Sequence, residues 1–134
     1  MDISFASFDT ISKTLKWAGA NNPLYMIRNN ANDILEIKGH KQPIGSYAAE
    51  KKPFTLHQFS MNKGDRIYLF SDGFIDQFGG PKGKKYKTNQ FKNFILSIQG
   101  YSIQEQEKLF AIEFSKWKGN KFQIDDVSVC GLEF

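Results

Sequence analysis

Four aspartates in two short stretches are the residues of this sequence best suited to chemistry. Asp72 ends an apolar run, and Asp76 comes four residues later. Asp125 and Asp126 stand together immediately before a second apolar run. Short carboxylates at strand ends are held in place by the sheet, and their oxygens are the ligands that Mg²⁺ or Mn²⁺ prefers. The two stretches therefore predict a metal site, which in a two-ion form would activate water and stabilise a transferred phosphoryl group.

Each of these residues also has a simpler interpretation. Asp72 with the following glycine is a common turn, Asp76 could cap or solvate that turn, and the Asp125–Asp126 pair could start a strand. Two other candidate ligands, His40 and His57, have no partner at metal-ligand spacing and are predicted to lie in a loop and on a strand surface.

The composition indicates a globular chain that forms one domain over residues 1–134. The sequence has 134 residues, is 40% apolar and contains 13 phenylalanines, which is enough for a core that buries roughly two-thirds of the unfolded surface. It lacks an apolar run of about 18 residues and a secretory leader, so a soluble, cytoplasmic location is predicted. Cys130 is the single cysteine, which excludes an internal disulfide, and its apolar surroundings predict a buried thiol.

The pattern along the chain predicts many strands, then two helices, then one strand. This order favours an α+β fold with antiparallel strands and helices packed on a sheet face. Residues 62–65 are predicted to form a hairpin turn, with Asp65 in a structural role. Thr88 is predicted to cap the first helix, and Ser102 with Glu105 forms a capping box for the second. The strands are expected at residues 3–8, 14–18, 24–28, 34–38, 54–61, 66–70 and 127–132.

The formal net charge of +4 comes largely from a glycine-rich basic segment. It contains Lys82, Lys84, Lys85 and Lys87 around Tyr86 and is expected to be a mobile loop. Such a cluster could attract phosphate or nucleic acid, but one aromatic residue gives thin support to a nucleic-acid binder. A solvated loop is the favoured interpretation, with no nucleic-acid partner.

Four motifs, in order along nearly the whole chain, resemble one known family. Residues 15–24 (LKWAGANNPL) are similar to the "YANAGHNPP" stretch of the stage II sporulation protein E phosphatases, which are bacterial metal-dependent protein phosphatases of type 2C. Residues 43–45 (PIG) resemble their "PLG" element. Residues 63–73 (KGDRIYLFSDG) resemble "GD-x-L-x-L-Y-S-D-G", and residues 125–128 (DDVS) resemble the closing "DD-x-T".

The resemblance implies a fold, a reaction and a set of ligands. The fold would be an αββα sandwich of two mainly antiparallel sheets flanked by helices. The reaction would be hydrolysis of phosphoserine or phosphothreonine on a protein by metal-activated water, with two Mn²⁺ or Mg²⁺ ions in a complete site. Asp72 and Asp125 would be the catalytic metal ligands. Asp126 would either coordinate a metal directly or act without touching it, and Asp76 could help to bind an additional metal.

One departure from the family limits what these residues can do alone. The family has an earlier acidic strand and an Asp-Gly turn that supply the carboxylate bridging the two metals, and nothing here matches them. The chain is therefore expected to be the back part of a phosphatase domain, with the preceding part absent. Isolated, it should bind metal poorly, be weak or inactive, and self-associate through uncovered apolar surface.

The partners implied by the resemblance are a phosphorylated protein substrate and upstream sensory domains in a bacterial signalling protein. An anti-sigma-factor antagonist is one candidate substrate. The parent protein could be attached to a membrane, but no membrane contact is expected for this segment. The alternative function is a non-catalytic module, a pseudophosphatase that binds a phosphoprotein or regulates a partner.

Overall fold

A computed structural model describes residues 1–45 and 52–134. Six of the described strands precede the first helix, as the sequence predicted, but one short helix and two short strands come before the two predicted helices. The described residues form twelve elements in this order: β1 Ile3–Asp9, β2 Thr14–Ala20, β3 Leu24–Ile27, β4 Leu35–Ile37, β5 His57–Ser60, β6 Arg66–Phe70, α1 Gly73–Asp76, β7 Phe78–Gly79, β8 Lys84–Lys85, α2 Thr88–Ser97, α3 Ile103–Lys118 and β9 Val129–Glu133.

These residues separate into two units. The first contains Met1–Phe70 with Leu132–Phe134, and the second contains Ser71–Gly131. The first unit holds most of the strands, and the second holds all three described helices. That the whole chain forms one domain remains a prediction.

Two sheets organise the strands of the first unit. One sheet has the order β1-β2-β5, and the other has the order β4-β3-β6-β9. β1 and β2 form the predicted antiparallel hairpin, and so do β3 and β4. The predicted α+β class with two antiparallel sheets is therefore confirmed.

The core of the first unit lies between these sheets, because alternate residues of each strand face it. Leu15 and Trp17 were predicted to share one face of β2, and both are 1% exposed. They pack in one apolar cluster with residues of the other sheet and its connections: Leu24, Met26, Ile37, Met61 and Ile67. Ser4 accepts a hydrogen bond of 2.8 Å from Trp17 Nε1, so the indole nitrogen is satisfied.

The predicted hairpin turn at residues 62–65 is wrong. β5 pairs with β2, whereas β6 pairs with β3, so this segment connects two different sheets. A tight turn with a glycine has the same local sequence pattern whether it joins two paired strands or two strands of different sheets. The pattern therefore does not show which strands pair. Asp65 is 1% exposed and has the structural role predicted for it.

The second unit is built around aromatic side chains on its helices. The ring centroid of Phe74 in α1 lies 5.1 Å from each of the ring centroids of Tyr86, Phe91 and Phe114. Phe91, Ile95 and Ile98 are buried at the spacing predicted for α2. The capping box of Ser102 and Glu105 begins α3, and Gly119 ends it, as predicted.

Thr88 is not the helix cap that the sequence predicted. It is the first residue of α2, and Lys87 holds the cap position with no side-chain cap hydrogen bond. The backbone of Lys87 has a φ of 72°, a conformation that turns the chain sharply into the helix. The paired strands β7 and β8 precede this entry, and the local preference of threonine for a cap is overridden.

Candidate metal centre

Asp72 stands where the chain passes from a buried strand to a short helix. It occupies the N-cap position of α1 with φ −72° and ψ −15°, and its side chain makes no cap hydrogen bond. The side chain is exposed. Its carboxylate oxygens are therefore not used by its own helix and are open to a ligand.

Ser71 joins the turn at Asp72 to the segment that carries the other acidic pair. Its hydroxyl donates a 2.8 Å hydrogen bond to the carbonyl of Asp126, and the same oxygen accepts from the backbone N–H of Ser128 at 3.0 Å. The backbone N–H of Ser71 donates to the carbonyl of Ser128 at 3.0 Å. These three bonds fix the two acidic stretches side by side within the second unit.

Gly73 is required by the same close approach. A Cβ atom at this position would lie 2.3 Å from the carbonyl oxygen of Asp126, well inside contact distance. That oxygen belongs to the backbone and cannot move away as a flexible side chain could. The glycine thus allows the Asp72 turn to lie directly against the Asp125–Asp126 segment.

The acidic pair itself is exposed and locally ordered. The backbone N–H of Asp126 donates to Asp125 Oδ1 at 2.7 Å, and Gln123 Nε2 donates to the carbonyl of Asp125 at 2.9 Å. Both aspartates are exposed. Three accessible carboxylates, those of Asp72, Asp125 and Asp126, thus belong to two adjoining backbone segments, and their oxygens are of the kind that Mg²⁺ and Mn²⁺ bind.

Asp76 has a different partner. Lys85 Nζ lies 3.1 Å from Asp76 Oδ1, and both side chains are partly exposed. The backbone N–H of Asp76 donates to the carbonyl of Asp72 at 2.9 Å, one helical turn back. A metal ion at Asp76 would have to displace the lysine ammonium, so this carboxylate is less suited to a metal than the other three.

Within residues 1–45 and 52–134, no three side chains of the His, Cys, Asp or Glu type are grouped so that they could hold a metal ion. His40 Nε2 is 2.9 Å from Thr55 Oγ1, and His57 lies on β5, beside the ring of Trp17. The structure thus brings the backbone segments of Asp72 and Asp125–Asp126 together, and the exposed carboxylates on them fit part of a metal site.

Cys130 is exposed, so the predicted buried thiol is wrong. The apolar run around it predicted that the thiol would be buried within a strand. β9 is instead the last strand in the order of its sheet, and alternate residues at such an edge face outward.

An open cavity of about 320 Å³ adjoins the two acidic segments in the second unit. Phe74 and Val127 line it. Phe74 follows Gly73 and Val127 follows Asp126, the two residues whose backbones approach closely. Helix α3 supplies Phe110 and Phe114. The cavity has no charged lining residue.

Sequence reasoning missed the residues that hold the basic segment beside α1. Gln77 is fully buried, and its backbone carbonyl accepts from Trp117 Nε1 and from the N–H of Tyr86, both at 3.0 Å. A Cβ atom on Gly79 would overlap the carbonyl oxygen of Trp117. The pair Gly79-Gly80 was the available signal, since glycines mark close backbone approach as well as mobile loops.

Comparison with solved structures defines the class to which this arrangement belongs. The chain superposes on the "SiaA-PP2C domain of Pseudomonas aeruginosa" with a TM-score of 0.86 and 25% identity, covering 99% of this chain and 51% of that one. It also superposes on the PP2C phosphatase domain of the cell fate determinant SpoIIE from Bacillus subtilis, with a regulatory-domain fragment, at a TM-score of 0.74 and 18% identity, covering 98% and 38%. The fold is that of a PP2C phosphatase domain.

A third structure, the RsbU and RsbW domains of Rv1364c from Mycobacterium tuberculosis, matches with a TM-score of 0.74 and 19% identity, covering 98% of this chain and 35% of that one. The chain thus spans from about a third to about half of the length of these three structures. A search of curated protein sequences found no significant match.

The family model for stage II sporulation protein E (SpoIIE) matches residues 1–134. The chain therefore belongs to the SpoIIE family, a family of protein phosphatases. No helix in the described part of the chain has both the length and the apolar character needed to cross a membrane.

Proposed function

We propose that this chain is the metal-binding back part of a metal-dependent serine/threonine protein phosphatase, which acts as the output domain of a bacterial signalling protein in the cytoplasm. One observation carries the proposal. The hydrogen bonds of Ser71 to Asp126 and Ser128 hold two exposed acidic segments together at the end of a strand. Capping or solvation of a turn explains each segment separately but not their hydrogen-bonded association, whereas a divalent ion takes oxygen ligands from both.

In this proposal Asp72 and Asp125 are the principal metal ligands. Asp126 is a third ligand or acts from farther away, and Asp76 is an additional, weaker ligand because of its ion pair with Lys85. Two Mn²⁺ or Mg²⁺ ions in the complete site would supply a water of lowered pKa and offset the charge that develops on the phosphoryl group.

The chain's own residues orient the site. Ser71 fixes the spacing of the two acidic segments, and Gly73 permits their backbones to touch. Because the described residues contain no group of three His, Cys, Asp or Glu side chains placed to hold a metal ion, the 134-residue chain alone should bind metal weakly and turn over little substrate. The proposed substrate is a phosphorylated protein, with an anti-sigma-factor antagonist as one candidate.

The experiment compares Mn²⁺ binding and phosphatase activity in the 134-residue chain and in the full gene product that contains it. Calorimetric titration should show weak binding to the chain and tighter binding to the full product. Asp72→Asn should abolish both binding and release of phosphate from a phosphoserine peptide. Asp33→Asn, which removes an equal charge at an exposed position of the first unit, should change neither.

If the full gene product neither binds Mn²⁺ nor hydrolyses the peptide, the non-catalytic binding module is correct instead. Rapid turnover by the isolated chain would contradict the inferred incompleteness of its site.

A further inference from the structure

The lysine-rich segment after α1 is an ordered ribbon, not the mobile loop that its glycines suggested. β7 and β8 pair antiparallel, with Phe78 opposite Lys85 and Gly79 opposite Lys84. We call residues 78–87 the basic ribbon. It contains four lysines and no acidic residue.

Buried contacts fix both ends of the basic ribbon. Tyr86 is 1% exposed, and its hydroxyl donates to Glu113 Oε1 at 2.9 Å. The backbone N–H of Gly80 donates to the carbonyl of Trp117 at 2.8 Å, and that of Lys87 donates to the carbonyl of Ile75 at 2.8 Å. A solvated loop needs no such anchors, so the ribbon holds its lysines in place at the surface of the second unit.

Three of these lysines are unpaired. In the part of the chain that the structure describes, Lys82, Lys84 and Lys87 are exposed and form no salt bridge, whereas Lys85 is paired with Asp76. Lys87 also has a φ of 72°, which costs a lysine free energy that a glycine would not incur. The fold alone therefore does not explain a lysine at this position.

The basic ribbon also contacts α1, the helix next to the candidate metal centre. Lys87 bonds to Ile75 in α1, the short helix that starts directly after Asp72, and Lys85 reaches Asp76 in the same helix. Two residues of the basic ribbon thus contact the helix that follows Asp72.

We propose that the basic ribbon is a docking surface for an acidic polypeptide segment that flanks the phosphorylated residue of the substrate protein. That the partner is a substrate rests on the proposed function. Three free cations spread over residues 82–87 match an extended row of carboxylates better than one compact anion.

Single-stranded nucleic acid fits the basic ribbon less well. Its bases require exposed aromatic rings on which to stack. Tyr86 is buried, and the ring of Phe78 has Lys85 Nζ 5.9 Å from its centroid. Phe78 is 42% exposed, so the ribbon offers a single accessible ring beside its cations, whereas successive bases need several.

The test measures fluorescence anisotropy of labelled phosphoserine peptides with the 134-residue chain in the presence of EDTA, so that metal binding and catalysis play no part. One peptide carries glutamates beside the phosphoserine, and a second carries glutamines there. The chain should bind the glutamate peptide more tightly, with an affinity that falls as salt rises. The triple variant K82Q/K84Q/K87Q should weaken that binding about tenfold or more.

The matched control is K108Q/K116Q/K121Q, which removes the same net charge from three exposed lysines of the same unit. It should retain affinity within about twofold, and circular dichroism melting should show that both variants remain folded. Equal losses in the two triple variants, equal binding of the two peptides, no binding at all, or tighter ribbon-dependent binding of an RNA of equal charge would each overturn the proposal.

The two proposals fail in different ways. Loss of docking with hydrolysis intact in the full gene product would leave the phosphatase function standing. Docking without hydrolysis or Mn²⁺ binding in the full product would leave the ribbon as the surface of a non-catalytic module.

Discussion

Asp65 shows at the scale of one residue how a buried carboxylate holds a connection between two sheets. Its Oδ2 pairs with Arg28 at 2.7 Å and accepts the backbone N–H of Asn62 at 2.8 Å. Its Oδ1 accepts the backbone N–H of Asn29 at 2.9 Å. Replacing it leaves several of these donors without an acceptor, and that cost is larger than the net contribution of one hydrogen bond.

We expect Asp65→Asn to lower the free energy of unfolding by about 2 kcal/mol, because an amide cannot accept all of these bonds and removes the ion pair of Arg28. Urea unfolding at neutral pH measures the change. Asp33→Asn, at an exposed position of the same unit, should stay within about 0.5 kcal/mol of the wild type. If both variants unfold with the same midpoint, the role assigned to Asp65 is wrong.

The same residue gives the stability a pH dependence. Burial alone would raise the pKa of Asp65, but the N–H groups of Asn62 and Asn29 and the charge of Arg28 hold it below its usual value. A lowered folded pKa stabilises the fold above the unfolded pKa of about 3.9, and this contribution is lost as the pH falls through the folded pKa. The difference in stability between the wild type and Asp65→Asn should therefore shrink below about pH 4.

The role of a single residue could be predicted from the sequence where its partners lie close to it along the chain. The capping box at Ser102 and Glu105 was predicted correctly because its two bonds lie within four residues. Ser71 was not singled out, because its importance comes from bonds to Asp126 and Ser128, more than 50 residues away. No local pattern reports such a partner.

At the scale of elements, Tyr86 links the basic ribbon to α3. Its phenol donates to Glu113 from a position that is 1% exposed. Burial, and after it the bond and charge of Glu113, raise the pKa of this phenol. The donor thus remains protonated at pH values near 10, where exposed tyrosines ionise.

We expect Tyr86→Phe to destabilise the second unit by about 1.5 kcal/mol, because it removes a hydrogen bond to a charged group. Hydrogen exchange should report the effect locally, with faster exchange of the amides of Tyr86 and Lys87. Tyr101→Phe, at a site that is 48% exposed, is the matched control and should leave both amides unchanged. Unchanged exchange in Tyr86→Phe would show that the ribbon does not depend on this anchor.

Element boundaries could be predicted where periodicity and punctuation agree. The predicted strand at residues 66–70 coincides with β6, since a continuous apolar run ends at an Asp-Gly turn. The ribbon could not be predicted, because its glycines and proline are typical of both a loop and a close-packed hairpin. Only the distant Trp117 carbonyl distinguishes the two.

At the scale of the whole molecule, the class of fold could be predicted, but the pairing of β5 and β6 with strands of different sheets could not. Pairing is decided by which apolar faces meet in the core, and Leu15 and Ile67 meet there from opposite sheets. The same two-sheet arrangement leaves apolar surface on the outer face of the first sheet. Phe5 is 64% exposed there, beside Ile44 at 42% and Phe54 at 40%.

These side chains line an apolar cavity of about 240 Å³ in the first unit, next to β1, the end strand of its sheet. In a purified sample the only available cover for such a surface is a second copy of the chain, because both apolar area and an open strand edge favour association. We therefore expect the 134-residue chain to self-associate in a concentration-dependent manner, measured by sedimentation velocity.

Phe5→Ser should weaken this self-association about tenfold or more, because each copy loses the burial of a large aromatic side chain. Ile11→Ser is the matched control: Ile11 is 93% exposed but lies in the turn between β1 and β2, outside the residues that line the cavity. Its loss should leave the sedimentation profile unchanged. A wild-type chain that stays monomeric at high concentration, or equal effects of the two variants, would mean that the outer face of the first sheet does not drive association.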